Sequence, residues 1–151
     1  MKVELALNLP REEISVPLAR HVVTAALSTA GVDPACVHEV EVALSEACTN
    51  AVKHAVEGVT YEVIINISDE QVAIDVIDSG SGFGQREPPT DGEDHWSENG
   101  RGIKLINALS DLAIFDSVEG EGGSAHMTMK LRWFQGALRP AAAQSVERRS
   151  S

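Results

Sequence analysis

The sequence of 151 residues predicts an α+β fold, a two-layer α/β sandwich in which helices cover one face of a mixed, mostly antiparallel sheet. Segments with the two-residue apolar period of strands lie on both sides of two segments with helical spacing. In chain order these are a strand, two helices, two strands, a loop, a helix and two strands. Strands and helices do not alternate regularly, which argues against a doubly wound dinucleotide-binding fold.

The first strand and the first helix end at a proline and a glycine. Residues 3–9 alternate apolar with polar or small side chains, as in a half-buried strand, and Pro10 ends the segment. Residues 14–30 contain apolar side chains near helical spacing: Leu18, Val22, Ala25, Ala26 and Leu27. Gly31 follows, and glycine commonly ends a helix.

The second helix begins at a clear start signal. Asp33 can cap the helix, and Pro34 suits the first turn because the N–H that proline lacks has no partner there. One side of this helix is apolar and consists of Val37, Val40, Leu44, Cys48, Ala51 and Ala55. The other side carries Glu46, Asn50 and Lys53. Gly58 is the predicted end of the helix.

A hairpin and a long loop follow. Residues 61–67 and 72–77 are β-rich, and the short polar turn at residues 68–70 joins them, which predicts a hairpin. Residues 84–99 contain two prolines, five acidic side chains and no periodicity. That composition predicts a mobile loop inside the domain.

The chain ends with a short helix, two strands and a polar tail. Residues 102–110 return to helical spacing, and residues 112–118 and 125–133 are predicted strands. Residues 136–151 contain few large apolar side chains, which predicts disorder. We therefore expect one domain, residues 1–135, followed by a disordered tail.

Composition constrains the partners and the location of the protein. The apolar fraction of 43% and the charged fraction of 23% are typical of globular domains. The net charge of -11 argues against a nucleic-acid partner, which requires a basic surface. No segment is apolar over the length of a signal-peptide core or a membrane span, so we expect a cytoplasmic protein without a membrane partner. Cys36 and Cys48 are predicted to be buried, reduced thiols.

The first of three polar motifs lies on the second helix. Glu46 and Asn50 are four residues apart and are therefore neighbours on one helical surface. The amide oxygen of Asn50 can bind Mg²⁺, and the Glu46 carboxylate can accept a proton from an attacking hydroxyl or water. Taken alone, such a pair is also typical of a solvated helix face.

The second motif follows a strand. Asp78 comes after the apolar Val76 and Ile77, so we expect it near the core, where a carboxylate needs a hydrogen-bond donor. The amino group of adenine is one such donor. The glycines that follow, Gly80, Gly82 and Gly84, allow the backbone to come close to a ligand. A β-turn with a capping aspartate is the alternative interpretation of this segment.

The third motif opens the last predicted helix. Gly100 and Gly102 stand at its N-terminus, where unpaired N–H groups and the helix dipole favour a phosphate. Arg101 and Lys104 can add positive charge, or can simply be solvated, and the glycines also fit a flexible linker. The sequence lacks the G-x-x-x-x-G-K-[ST] and G-x-G-x-x-G phosphate motifs, and its five histidines lack the spacing of a zinc site.

In this order the three motifs resemble those of the GHKL ATPase superfamily, which has the Bergerat fold and includes the histidine kinases. Residues 46–55 resemble its asparagine box, residues 78–83 its first glycine box and residues 100–103 its second. The residues Ser45 to Ala55, together with the short chain, are most similar to the bacterial anti-sigma-factor serine/threonine kinases. The resemblance covers residues 1–135.

The resemblance implies a role for each motif residue. Glu46 is the implied catalytic carboxylate, Asn50 the Mg²⁺ ligand, and Asp78 the acceptor for the amino group of adenine. Residues 84–99 are the implied ATP lid. The remaining residues implied to contact ATP are Lys53, His54, Gly80, Gly82, Gly100, Arg101, Gly102, Ile103 and Thr128.

The resemblance also implies a function and partners. Proteins of this kind sequester a sigma factor, and they phosphorylate an antagonist protein on serine, using ATP and Mg²⁺. They are commonly homodimers. The alternative hypothesis is an ATP-binding partner-switching module without kinase activity.

Overall fold

The computed structural model describes residues 1–53, 60–78, 102–118 and 122–134. Several of the predictions lie outside these residues, namely those for His54, Gly58, Gly80, Gly82, Gly84, Gly100, Arg101, the loop at residues 84–99 and the tail at residues 136–151. The division into a domain of residues 1–135 and a disordered tail stays a prediction.

The described residues form five strands and three helices. In chain order these are β1 (Val3–Pro10), α1 (Ser15–Ala30), α2 (Pro34–Lys53), β2 (Thr60–Ile67), β3 (Gln71–Asp78), α3 (residues 102–109), β4 (Leu112–Val118) and β5 (Gly122–Lys130). The predicted α+β fold class is confirmed. The last strand was predicted at residues 125–133, which is three residues too late. Leu131 has left the sheet and donates its N–H to the Glu70 carbonyl, and Trp133 forms only an isolated bridge with Val32.

The strands form one open sheet in the order β1-β2-β3-β5-β4. Each of these four pairings is antiparallel, so the mixed character expected from the sequence is not seen among the described residues. β2 and β3 form the predicted hairpin, closed by the N–H of Ser68 donating to the Gln71 carbonyl. β5 lies between β3 and β4, so the connection from β3 to β4 skips one strand position, which β5 then fills.

Both long helices pack on one face of the sheet. α1 packs against α2 and β1, and α2 packs against β3. Side chains alternate between the two faces of each strand. The face under the helices supplies a fully or almost fully buried core that includes Tyr61, Val63, Ile65, Ile67, Val72, Ile74, Val76, Ala125, Met127 and Met129. Burial of such a side chain stabilises the fold by about 1.5–3 kcal/mol.

The signals that separate α1 from α2 act as predicted. Gly31 has φ 96°, and its N–H donates to the carbonyls of Leu27 and Ser28 at the end of α1. Asp33 caps α2, because its Oδ1 accepts the N–H of Ala35 at 2.8 Å.

The buried face of α1 differs from the predicted set of apolar residues. Its buried residues include Ala19, Val23 and Leu27, whereas Leu18 is 52% exposed. Across the described segments, no helix combines the length and apolar character that crossing a membrane requires. Cys36 and Cys48 are buried free thiols, as predicted.

Candidate functional site

The candidate site is centred on one turn of α2. Glu46 is half-buried, and Asn50 is only 9% exposed although the sequence placed it on the polar side of the helix. The apolar residues around this turn are fully buried, so the turn sits deep against the sheet. A buried carboxamide in such a setting is costly unless its polar atoms have partners.

The start of α3 meets this turn. A Cβ atom added to Gly102 would lie 3.0 Å from Oε2 of Glu46, and 3.7 and 3.8 Å from Nδ2 and Oδ1 of Asn50. Gly102 is buried, and Ile106, one turn later, is fully buried and fixes α3 to the core. The first and third motifs, more than fifty positions apart in the sequence, therefore come together.

The carboxylate of the second motif lies at the end of β3 on the helix-covered face. Asp78 forms an ion pair with Arg11, through Nη2 of Arg11 and Oδ1 of Asp78, and each side chain is only 1% exposed. Burial lowers the pKa of the Arg11 guanidinium from its ordinary value. A guanidinium nevertheless stays charged in proteins, so Asp78 is paired with a positive group inside the fold.

A chain of hydrogen bonds connects the neighbourhood of Asp78 to α2. Ser15 donates from Oγ to the Glu12 carbonyl at 2.7 Å, and its Oγ lies 2.6 Å from the Tyr61 hydroxyl. Because the Ser15 hydroxyl has a single proton, the Tyr61 hydroxyl is the donor in the second contact. The Cys48 thiol is also hydrogen-bonded to Tyr61.

The two acidic groups of this chain are neutral at physiological pH. Burial raises the pKa of the Cys48 thiol to about 12, against a smaller lowering by its hydrogen bond to Tyr61. Burial, followed by the neighbouring Cys48, raises the pKa of Tyr61 well above its usual range. The network therefore adds no negative charge beside Asp78.

The same network places Asp78 close to the α2 turn. Tyr61 is the register partner of Asp78 on β2, and it contacts Cys48, which lies between Glu46 and Asn50 on α2. On the other side of Asp78 its partner in β5 is Gly123, which contributes no side chain. Asp78, Glu46, Asn50 and Gly102 thus belong to one end of the two-layer structure.

The other predicted site residues fall in different places. Lys53 is exposed at the last described position of α2, and Ile103 is half-buried on α3. Thr128 pairs with Ala73 on β3 and with Leu112 on β4, and Leu112 is exposed. Because its neighbours Met127 and Met129 face the core, Thr128 points to the opposite face of the sheet, away from Asp78. The structure does not bring Thr128 to the site.

Sequence reasoning missed Arg11, the residue that pairs with Asp78. Arg11 stands in a charged run with Glu12 and Glu13, which is typical of a solvated turn. The signal that could have found it is strand alternation, because Leu7, Leu9 and Arg11 are two residues apart and Leu9 faces the core.

The residues present fit a magnesium nucleotide. The Asn50 amide at the α2 turn offers an oxygen ligand of the kind that Mg²⁺ prefers, and Glu46 lies beside it. Gly102, in the first described turn of α3, approaches the same point, where backbone N–H groups can donate to phosphate oxygens. A buried carboxylate at the end of β3 can accept a hydrogen bond from an amino group of a base. Three kinds of contact are therefore available at one end of the sheet.

Comparison with known proteins agrees with this geometry. Residues 9–129 match the family described as the histidine kinase-like ATPase domain, so the chain belongs to that family. The resemblance drawn from the three motifs is confirmed.

Its relatives include regulators of sigma factors and protein kinases. An anti-sigma F factor from Pasteuria penetrans is 34% identical over 102 residues, which cover 62% of this chain and 68% of the relative. A serine-protein kinase RsbW from Staphylococcus epidermidis is 32% identical over 119 residues, covering 71% of this chain and 75% of the kinase.

A solved structure shares the fold. The crystal structure of the RsbU and RsbW domains of a Mycobacterium tuberculosis protein matches with a TM-score of 0.65 at 21% identity. The match covers 85% of this chain but only 32% of the chain in that structure, about a third of its length.

Proposed function

We propose that this protein is an ATP-dependent anti-sigma factor that sequesters a sigma factor and phosphorylates an antagonist of that activity on serine. Relatives named anti-sigma F factor and serine-protein kinase RsbW, each matched over more than two thirds of its length, support the proposal. The structural observation that carries it is the approach of Gly102 to Glu46 and Asn50, which brings a carboxylate, an amide and the first described turn of α3 together at one point.

In this proposal each described residue of the site has one task. The Asn50 amide oxygen would hold Mg²⁺, and backbone N–H groups of the first described turn of α3, at Gly102, would donate to phosphate oxygens. The Asp78 carboxylate would accept a hydrogen bond from the amino group of adenine. ATP supplies the transferred phosphoryl group, and Mg²⁺ neutralises charge on its phosphates.

Glu46 is the proposed general base. It lies one helical turn before Asn50, so the residue that binds the metal and the residue that takes the proton are held by one rigid element. The Glu46 carboxylate would accept the proton of the substrate serine hydroxyl as that oxygen attacks the γ-phosphorus of ATP, while the bond from this phosphorus to the bridging oxygen breaks and ADP leaves. A positioned base of this kind contributes about 10²- to 10⁴-fold to the rate.

The partners and the location follow from the same proposal. The chain binds a sigma factor and an antagonist protein, works in the cytoplasm, and forms a homodimer. Nucleic acid and membrane are not among its partners, in keeping with the net charge of -11.

Glu46→Gln separates catalysis from binding. We expect this variant to lose phosphotransfer by about 10²- to 10⁴-fold while keeping its affinity for Mg-ATP, because the amide cannot take up a proton but fills the same space. The chain is incubated with Mg-ATP and the proteins that it captures from its own cell extract. Phosphoserine is located by mass spectrometry, and nucleotide affinity is measured by calorimetry.

Glu41→Gln is the matched control, since Glu41 is a partly exposed carboxylate on the same helix that pairs with Arg20 instead. Phosphoserine formed by Glu46→Gln at the wild-type rate would remove Glu46 from the role of base. Nucleotide binding without any phosphoserine from the wild-type protein would favour the partner-switching module that lacks kinase activity.

A further inference from the structure

The ion pair between Arg11 and Asp78 lies in the part of the site that the proposed function assigns to the base of the nucleotide. Arg11 follows the end of β1 and Asp78 ends β3, with β2 between them in the sheet. Both side chains are 1% exposed, so the contact is formed away from water. A charge at this position acts on Asp78 with little screening.

The turn that carries Arg11 is fixed to the strand beside Asp78. Ser15 donates both its N–H, at 3.0 Å, and its hydroxyl, at 2.7 Å, to the carbonyl of Glu12, the residue after Arg11. The same hydroxyl is bonded to Tyr61, the β2 partner of Asp78. These hydrogen bonds fix the backbone that carries Arg11. The position of the guanidinium beside Asp78 is therefore determined by the fold as well as by the conformation of the side chain.

The protonation state of Asp78 decides whether it can bond to an amino group or to an oxygen at position 6 of a purine that faces it. An ionised carboxylate only accepts hydrogen bonds, and it offers about four acceptor positions, so it can serve a guanidinium and an amino group together. A protonated carboxyl also donates, and it can bond to the oxygen at position 6 of guanine or hypoxanthine. Burial favours the neutral form of a carboxyl, whereas a contacting positive charge favours the ionised form.

We infer that Arg11 is a specificity-determining residue, which holds Asp78 ionised so that the site takes 6-aminopurine nucleotides and rejects 6-oxopurine nucleotides. Tyr61 on β2 and Gly123 on β5 flank Asp78 in the sheet, and Tyr61 in turn contacts Ser15 on α1 and Cys48 on α2. None of these four described residues carries a positive charge. Arg11 supplies the charge that none of them can. This inference rests on the proposed nucleotide site.

Removal of the charge at Arg11 tests the inference through the ratio of two affinities. ADP and inosine diphosphate differ at position 6 of the purine, amino in one and oxo in the other. Calorimetry with Mg²⁺ gives the affinity ratio of ADP to inosine diphosphate at pH 6, 7 and 8. For the wild-type protein we expect a ratio that favours ADP and does not change over this range.

For Arg11→Met, which keeps the length of the stem and loses the charge, we expect the ratio at pH 6 to fall at least tenfold. The ratio should then recover as the pH rises, because Asp78 ionises without help at higher pH. A purely structural role would weaken both nucleotides equally and leave the ratio independent of pH. Arg11→Lys, which restores a positive charge, should restore most of the ratio.

Arg132→Met is the matched control, because Arg132 is an exposed arginine that pairs with Glu39 on the surface. Arg11→Gln is a second neutral variant for the case in which Arg11→Met does not fold. An unchanged, pH-independent ratio in a folded neutral variant would overturn the inference, and so would a wild-type ratio that titrates between pH 6 and 8. Failure of the wild-type protein to bind ADP at all would instead overturn the proposed function.

Discussion

At the scale of single residues, the site is distinguished by polar side chains where the fold otherwise buries apolar ones. The buried polar or charged residues among those described are Arg11, Ser15, Asn50 and Asp78. Buried groups of this kind are expensive unless they have partners, and clusters of them are typical of functional sites. Arg11, Ser15 and Asp78 share one neighbourhood through Tyr61, and Asn50 lies half a turn from the Cys48 contact.

The Cys48 thiol makes the stability of the protein depend on pH in the alkaline range. Its pKa is about 12 in the folded protein, while a thiol in an unfolded chain ionises near pH 8.5. Above about pH 8.5 the unfolded state therefore loses a proton that the folded state keeps. We expect the free energy of unfolding to fall by about 1.4 kcal/mol per pH unit between about pH 9 and 10, measured by urea unfolding.

Cys48→Ala should remove this dependence of the free energy of unfolding on pH between about pH 9 and 10. The smaller side chain lowers the stability at every pH, but it does not titrate. The range stops near pH 10 because Tyr61 then begins to contribute with the same sign, its pKa also being raised in the folded state. A wild-type slope that survives unchanged in Cys48→Ala would show that another group is responsible.

Strand alternation explains which site residues the sequence could predict and which it could not. Asp78 was placed near the core because its neighbours Val76 and Ile77 are apolar, and it is buried. Thr128 was expected in the site because the family resemblance implies that it contacts ATP. The polar and apolar residues of β5 in fact alternate, which assigns Ser124, His126 and Thr128 to the outer face. The face of the sheet to which each residue points, and not its residue type, explains why Asp78 is buried and why Thr128 lies away from the site.

At the scale of elements, α2 connects folding to function. One side of the helix fills the core, and the turn from Glu46 to Asn50 reaches the site. The cap at Asp33 and the φ 96° turn at Gly31 determine where the helix begins. These signals are local, so the sequence predicted the start of α2 correctly. The meeting of α2 with Gly102 is a contact between distant segments, and only the family resemblance could suggest it.

Asp33→Ala should weaken the fold through this cap. The variant loses the hydrogen bond from the N–H of Ala35 to Oδ1, and a lost N-cap lowers the free energy of unfolding by about 1 kcal/mol. Urea unfolding followed by circular dichroism measures the change. Asp33→Asn keeps an oxygen acceptor and should retain most of the stability. Equal losses in the two variants would mean that the charge of Asp33, and not its hydrogen bond, stabilises the helix start.

At the scale of the whole molecule, the site exists only when separated parts of the chain are folded together. β1 leads to Arg11, α2 carries Glu46 and Asn50, β3 ends at Asp78, and the described part of α3 contains Gly102. The strand order contributes to the convergence, since β5 lies between β3 and β4, and α3, which lies between β3 and β4 in the chain, packs Ile106 into the core. No single segment can bind the proposed ligand alone, so ligand binding and folding are coupled.

This coupling predicts that Mg-ADP raises the thermal stability of the protein. A ligand that binds only the folded state stabilises it by about 2.7 kcal/mol when its concentration is one hundred times the dissociation constant. For a domain of this size that corresponds to about 5–10 °C in Tm. Differential scanning fluorimetry at increasing Mg-ADP measures the shift.

Two asparagines provide the comparison that locates the effect. Asn50→Ala should lose most of the Mg-dependent shift, because its amide is the proposed metal ligand at the point where Gly102 meets α2. Asn66→Ala should keep the full shift, because Asn66 lies on β2 between Glu4 and Ala73, on the sheet face away from the helices. Wild-type protein whose Tm stays constant at saturating Mg-ADP would contradict the proposed site. Equal Tm shifts in the two variants would mean that the protein binds Mg-ADP without Asn50. Asn50 would then not be the magnesium ligand.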